Sequence, residues 1–310
     1  LQGSFDLSAQ ALDGQWLADS LNADLHLKQI ANDLISGVPA ELHPEALQLT
    51  IQATQTPDNL APQLVGRALP LQLLLKGQGR SQFELQGMLA LANGLPWGLQ
   101  LLDGSLSAST PAFQLEGWKI GALQTQLQLD AFLDAQQLDL ALGKGSQLSL
   151  QHLRSADVQA QQLKASSSGL QLQAQLAAGA LLDWQLKGPL DLSAQLQHGQ
   201  LQPQRWYWQG PVTANPLQAE LDGTLHNDAG LQLKLQAQHS SAKGLTLQAK
   251  LAELFLRSGN PLKDSFTAWP ALLELNNGRL NANASLTLAS DQQLPTVKLE
   301  LTGKGLGGIY

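Results

Sequence analysis

Leu170-Gln171-Leu172-Gln173-Ala174-Gln175-Leu176 carries an apolar side chain at every second position. Successive side chains of a strand point to opposite faces, so this stretch reads as a strand with one hydrocarbon face and one wet face. The same alternation runs through Leu123 to Leu129, Leu190 to Leu196, Leu231 to Gln238, Leu245 to Leu251 and Val297 to Leu301. A period of two repeated along a chain with almost no helical period predicts an all-β, antiparallel protein.

Working outward, residues 1–30 read as two strands, Phe5 to Ala11 and Leu21 to Leu27, joined by a turn near Asp13-Gly14. Ile30, Leu34 and Ile35 have helical spacing before Gly37 and Pro39, which predicts a short helix near 29–36. Leu47 to Ala53 resumes as a strand, and residues 54–70, with Pro57, Pro62 and Pro70, read as an irregular excursion. From Leu71 strands follow one another to residue 254, among them 112–118, 136–142, 146–153, 181–187, 189–198, 203–209 and 211–214. Short breaks separate them, such as Asn93-Gly94, Asp103-Gly104, Gly188-Pro189 and Gly210-Pro211, and such breaks imply hairpins. Residues 256–271 interrupt the pattern. Pro261, Leu262, Phe266, Trp269 and Pro270 there suggest a short helix or structured loop with an apolar face, before strands at 272–276, 279–289 and 295–303.

About 20 strands is too many for one sandwich, because strongly twisted sheets rarely exceed about 10 strands without curling or splitting. A soluble barrel of that size would enclose an empty lumen. A long sheet folded lengthwise into an open groove, apolar side inward, solves the problem if something apolar fills it. At ~4.8 Å per strand the sheet would run to roughly 100 Å. The expectation is a single elongated domain over 1–310. Both ends read as cut from a longer chain.

Composition narrows the function. Leu supplies about 70 of the 310 residues, while Ile and Val together supply about 10. Ordinary strands favour β-branched residues, whereas Leu is freer about χ1 and suits a partner of no fixed shape, such as acyl chains. Codon bias would also raise Leu, but Lys outnumbers Arg about two to one, the reverse of that bias. A net charge of -7 leaves no basic footprint for nucleic acid. With no Cys there is neither a disulfide framework nor a thiolate metal site. No apolar run approaches the ~20 residues that span a bilayer, and no signal peptide pattern is present.

Catalytic chemistry finds no constellation. The six His are scattered, with no pair at metal-ligand spacing. Carboxylates such as Asp103, Asp130, Asp183 and Asp228 sit singly at turns or strand ends, where Asp serves its own local hydrogen bonds. Gly303-Lys304-Gly305-Leu306-Gly307-Gly308 follows a strand and lacks the Lys-Ser/Thr pair of a phosphate loop. No cofactor, metal or enzymatic activity is expected. In Arg205-Trp206-Tyr207-Trp208 the two Trp share a face and line or plug the groove, with Tyr207 outward; a carbohydrate-stacking platform is the alternative.

Parity within each strand assigns Leu73, Leu85, Leu127, Leu129, Leu140, Leu172, Leu176, Leu192 and Leu196 to the groove lining. Trp206, Trp208, Leu221, Leu233, Leu235, Leu247, Leu286 and Leu299 complete the set.

The run of Leu-polar strands, the hairpins, and the C-terminal stretch Phe255-Leu256-Arg257-Ser258-Gly259, Phe266, Trp269-Pro270, Leu275-Asn276-Asn277-Gly278-Arg279-Leu280 and Leu299 to Gly308 resemble the YdbH family of AsmA-like, TamB-related proteins. The style covers nearly the whole chain, and the last ~60 residues carry the specific match. The resemblance implies a taco-shaped β-groove of the bridge-like lipid-transfer class that carries phospholipid between the inner and outer membranes. It implies a periplasmic body anchored to the inner membrane by an N-terminal helix absent from this sequence. It also implies a small outer-membrane lipoprotein partner that adds a strand at the C-terminal end. Two other readings stay open on the residues alone: a structural or adhesive β-solenoid with a closed Leu core, and a carbohydrate-active β-protein.

Overall fold

A computed structural model describes residues 2–12, 15–28, 44–53, 68–92, 98–115, 117–155, 159–177, 180–199, 201–256, 259–267, 274–290 and 294–309. The described chain is almost entirely antiparallel strand. It begins with β1 (Gln2–Leu12), β2 (Gln15–Lys28), β3 (Ala46–Ala53), β4 (Ala68–Gln78), β5 (Gln82–Ala92) and β6 (Gly98–Thr110). Next come β7 (Phe113–Leu115), β8 (Trp118–Ile120), β9 (Leu123–Asp134), β10 (Gln137–Leu142), β11 (Ser146–Arg154), β12 (Gln159–Ser167) and β13 (Gln171–Ala177). The remainder is β14 (Ala180–His198), β15 (Leu201–Ala214), β16 (Gln218–Asn227), β17 (Gln232–Ser240), β18 (Gly244–Phe255), the helix α1 (Pro261–Ser265), β19 (Glu274–Leu288) and β20 (Thr296–Ile309). The helix expected at 29–36, residues 54–67 of the excursion expected over 54–70, Asn93-Gly94, Trp97 and Trp269 lie outside the described residues, while residues 68–70 of that excursion already belong to β4.

The chain divides into two compact units, Leu1–Gln151 with Ser166–Gln185, and His152–Ala165 with Leu186–Tyr310. In the first, β1 to β6 form an up-and-down meander, each pairing antiparallel with the next. β7 and β8 make a small hairpin, and β6 pairs past it with β9. The far side of β9 is shared: its C-terminal half pairs with β10, which pairs onward with β13, and its N-terminal half with β11. Between β10 and β11 the chain turns through Gly143-Lys144-Gly145. There Ser146 Oγ both donates to Gln128 O and accepts from Gln128 N, each at 3.0 Å, and so fills the gap in the ladder. In the second unit β14, from Leu186 onward, and β15 to β20 form a seven-strand meander.

Several expected breaks are absorbed into strands. β14 runs through Gly188-Pro189 and β15 through Gly210-Pro211, because Pro189 and Pro211 face each other directly. Proline lacks the N–H a ladder needs. The β15–β16 register accordingly skips from Gln209↔Thr224 to Val212↔Leu221. Gly210 is required there, since a Cβ on it would lie 2.0 Å from Asp222 O. Where two strands were expected, at 272–276 and 279–289, β19 (Glu274–Leu288) runs as one bulged strand, with register shifts at Leu275/Asn277 and Asn277/Arg279. The expected strand 112–118 is instead β7, a turn at Gly117 (φ +85) and the start of β8.

Candidate functional site

Register turns the alternation into rows. In the first unit Leu25, Leu49, Leu75, Leu85, Leu106 and Leu127 lie side by side across six strands. A parallel row on the same face runs Leu71, Leu89, Leu101, Ala131, Leu140 and Leu172. The opposite face reads His26, Gln48, Lys76, Glu84, Ser107, Gln126 and Gln147. Lys76 and Glu84 form an ion pair at 3.2 Å, and Gln147 donates to Gln126 at 2.8 Å. Cross-strand pairs of this kind each contribute about 0.2–1 kcal/mol, so both faces favour the same register.

The second unit repeats the arrangement. One row is Leu192, Trp208, Leu225, Leu233, Leu251, Ala282 and Leu301. Two rows away lie Val212, Leu221, Ala237, Leu247, Leu286 and Val297. The reverse face carries Asp191, Gln209, Thr224, Lys234, Lys250, Asn283 and Glu300. That polar face is itself concave, lined by Asp222, Lys234, Lys250, Lys298 and Glu300, with charges of both signs.

The sequence-predicted lining residues fall on these faces. Leu73, Leu85, Leu127, Leu129, Leu140, Leu172 and Leu176 share the apolar face of the first unit. Leu192, Leu196, Trp206, Trp208, Leu221, Leu233, Leu235, Leu247, Leu286 and Leu299 share that of the second. Sequence reasoning missed their row neighbours Leu25, Leu49, Leu75, Leu106, Leu225 and Leu251, which the same parity marks once register is known.

The two apolar faces are covered unevenly. Leu73, Leu101 and Leu129 are buried by one another and by Leu85, Leu106 and Leu127. On β20 the apolar side chains lie open, with Val297 63%, Leu299 69% and Leu301 60% exposed. Elsewhere in the second unit, the β18–β19 connection folds back over the face as a cap. Leu262 and Phe266 of that segment pack against a core of Trp206, Leu231, Leu251, Leu256 and Leu280.

A polar latch holds the cap. Asn260 caps α1 by accepting from Lys263 N, and Pro261 occupies the first turn, where its missing N–H costs nothing. Asn227 Nδ2 donates to Ser265 Oγ at 2.7 Å, Ser265 Oγ donates to Pro261 O, and Leu231 N donates to Asn227 Oδ1 at 2.9 Å. Phe266 bridges to Leu201, and Thr267 Oγ1 donates to Gly199 O at 2.9 Å.

Trp206 and Trp208 are each 6% exposed, which leaves no open platform for a sugar ring. On the reverse face Tyr207 stacks on His226 at 4.9 Å and donates to Asp228 at 3.2 Å. Among the described residues no group of three or more His, Cys, Asp or Glu could hold a metal ion. No helix among them is long and apolar enough to cross a membrane.

Rows of Leu on one face and Gln, Lys and Glu on the other define an antiparallel β-protein that offers a broad hydrocarbon surface. The chain belongs to the YdbH-like family: the family model described as "Intermembrane phospholipid transport protein YdbH" matches residues 1–310. No curated protein and no solved structure matches it significantly.

Proposed function

We propose that this chain is a non-enzymatic conduit whose apolar sheet faces carry phospholipid acyl chains, with headgroups left in solvent along an open edge. The observation that carries this reading is the row Leu192, Trp208, Leu225, Leu233, Leu251, Ala282, Leu301, apolar across seven strands and open at β20. From the Trp206 row to the Leu245 row the apolar band runs roughly 27 Å along the strands, ample for one leaflet's half of a ~30 Å hydrocarbon core. Burial favours the bound chain by about 0.8 kcal/mol per CH₂. A lining of near-equivalent Leu lets chains slide from row to row.

In this reading the predicted lining residues on each unit's apolar face touch lipid. The body stands in the periplasm between inner and outer membranes, held to the inner membrane by an N-terminal helix beyond this sequence. Among the described residues β20 pairs only with β19 and offers a long free edge. Such an edge suits strand addition, which supports an outer-membrane lipoprotein partner there. Nothing in the lining supplies direction, so a partner or a lipid gradient must.

The test is extraction of the purified chain and mass spectrometry of the extract. Co-purified phospholipid is the expected result; a lipid-free protein that also takes up none from vesicles would sink the reading.

A further inference from the structure

Two polar atoms on this hydrocarbon face are left over. The indole Nε1 atoms of Trp206 and Trp208 are buried with no hydrogen-bond partner among the described residues. A buried donor without an acceptor bears the full loss of its hydration, so each such group needs an explanation. The pair cannot satisfy itself, because an indole N–H only donates.

The polar side chain opposite Trp206 is already committed. Asn227 stands directly across the strand pair from Trp206. Its Oδ1 accepts from Leu231 N, and its Nδ2 donates to Ser265 Oγ. Trp208 meanwhile lies over Gly223: a Cβ there would come within 3.0 Å of the indole Cε2. Both rings are therefore held in place by neighbours while their N–H groups go unanswered.

A purely hydrocarbon occupant cannot answer them. The ester carbonyls of a diacyl glycerolipid can, since they are the acceptors that sit next to the acyl chains. We infer that Trp206 and Trp208 are a hydrogen-bonding anchor for the ester carbonyl oxygens of the lipid, set into an otherwise apolar face. Leu262 and Phe266, carried by the cap, pack against the cluster containing Trp206 and are the side chains the ester region displaces. The anchor rests on the acyl-chain reading above and adds a chemical preference to it: ester-linked lipid over ether-linked lipid of the same chains and headgroup.

The experiment loads the purified chain from vesicles holding equal amounts of a diester phosphatidylethanolamine and its diether analogue. The wild-type chain should retain the diester about fivefold or more in excess, as expected for gaining hydrogen bonds to two otherwise unpaired donors. Trp206→Phe with Trp208→Phe keeps aromatic bulk and removes both donors; the excess should fall to near one while total lipid stays unchanged. A second readout, on the wild type, does not depend on the folding of that double variant. Two of its seven indole ¹⁵N–¹H resonances should shift on loading with diester and stay put with diether. Equal retention of the two lipids, or indole resonances unmoved by diester, overturns the anchor alone. Retention of neither lipid overturns the acyl-chain reading, and the anchor with it.

Discussion

Asn227 donates its side-chain amide to the hydroxyl of Ser265 across 2.7 Å, joining the end of β16 to a helix thirty-eight residues further along the chain. Both residues are buried, Asn227 at 5% and Ser265 at 0% exposed. Ser265→Ala leaves the Asn227 amide buried without its acceptor, which costs about 1–3 kcal/mol. Asn227→Ala should cost more, because it also strips Leu231 N of its acceptor. Urea unfolding followed by Trp fluorescence measures both, and the double variant should show a coupling of about 0.5–3 kcal/mol. Additive effects would mean that the latch does not hold the cap.

The apolar face contains both core and open surface, and two leucines separate them. Leu280 is 1% exposed beneath the cap, whereas Leu299 is 69% exposed on β20. Leu280→Ala should cost about 2–5 kcal/mol through lost contacts and a cavity. Leu299→Ala should stay within about 0.5 kcal/mol, as for an ordinary surface change. A large loss at Leu299 would indicate a closed Leu core of the solenoid kind.

Photocrosslinkers test which face meets lipid. At Leu172, Leu192 and Leu233, all on apolar faces, they should capture phospholipid. At Gln171 and Gln232, which point the other way, they should not. Equal labelling at both sets refutes the face assignment.

Strand type and face were legible wherever alternation was clean, because parity and register carry the same information in an unbroken antiparallel pair. They were illegible where the chain spends an extra residue. Asp103 adopts a left-handed φ of 51° and shifts the β5–β6 register, with its N–H bonded to Asp130 at 2.9 Å. Leu101 and Leu102 are thereby buried on opposite faces, Leu102 against Met88 on the polar side. Counting by twos cannot foresee that flip. Proline misled for a related reason: Pro189 and Pro211 look like strand ends but face each other inside one ladder. The cap was half legible. Asn227 breaks the run Leu221, Gly223, Leu225 at a position where an apolar residue is due, but only the fold shows that Ser265 answers it.

Among the described residues β20 pairs only with β19, and that open edge carries a prediction about the chain alone. An exposed strand with an apolar face pairs readily with another edge, so the purified chain should self-associate in a concentration-dependent way. Leu299→Lys with Leu301→Lys places charges on that edge. In an antiparallel pairing of two copies they would meet each other, and like charges across an interface cost several kcal/mol, so association should weaken by about tenfold or more. Size-exclusion chromatography with light scattering measures this, and unchanged association would place the contact elsewhere.

Transport itself should fail at a single charged step on the face. Leu235 and Leu247 are half-buried and lie in rows beside small neighbours: Gly223 and Ala249 flank Leu235, and Ala237 flanks Leu247. An arginine introduced at either site can lay its methylenes on the apolar surface and lift its guanidinium toward water, so the fold should survive with a modest loss of stability. A passing acyl chain then meets a charge it cannot desolvate, since an unpaired ion in hydrocarbon is far costlier than any contact the row offers. Leu235→Arg and Leu247→Arg should therefore lower lipid transfer between donor and acceptor vesicles by about tenfold or more, while far-UV circular dichroism and lipid uptake elsewhere on the chain persist. Leu251→Arg is the contrasting control: at 4% exposure within the cap cluster it should unfold the second unit rather than merely obstruct it. Transfer that continues undiminished in a folded Leu235→Arg chain would show that lipid does not travel along these rows.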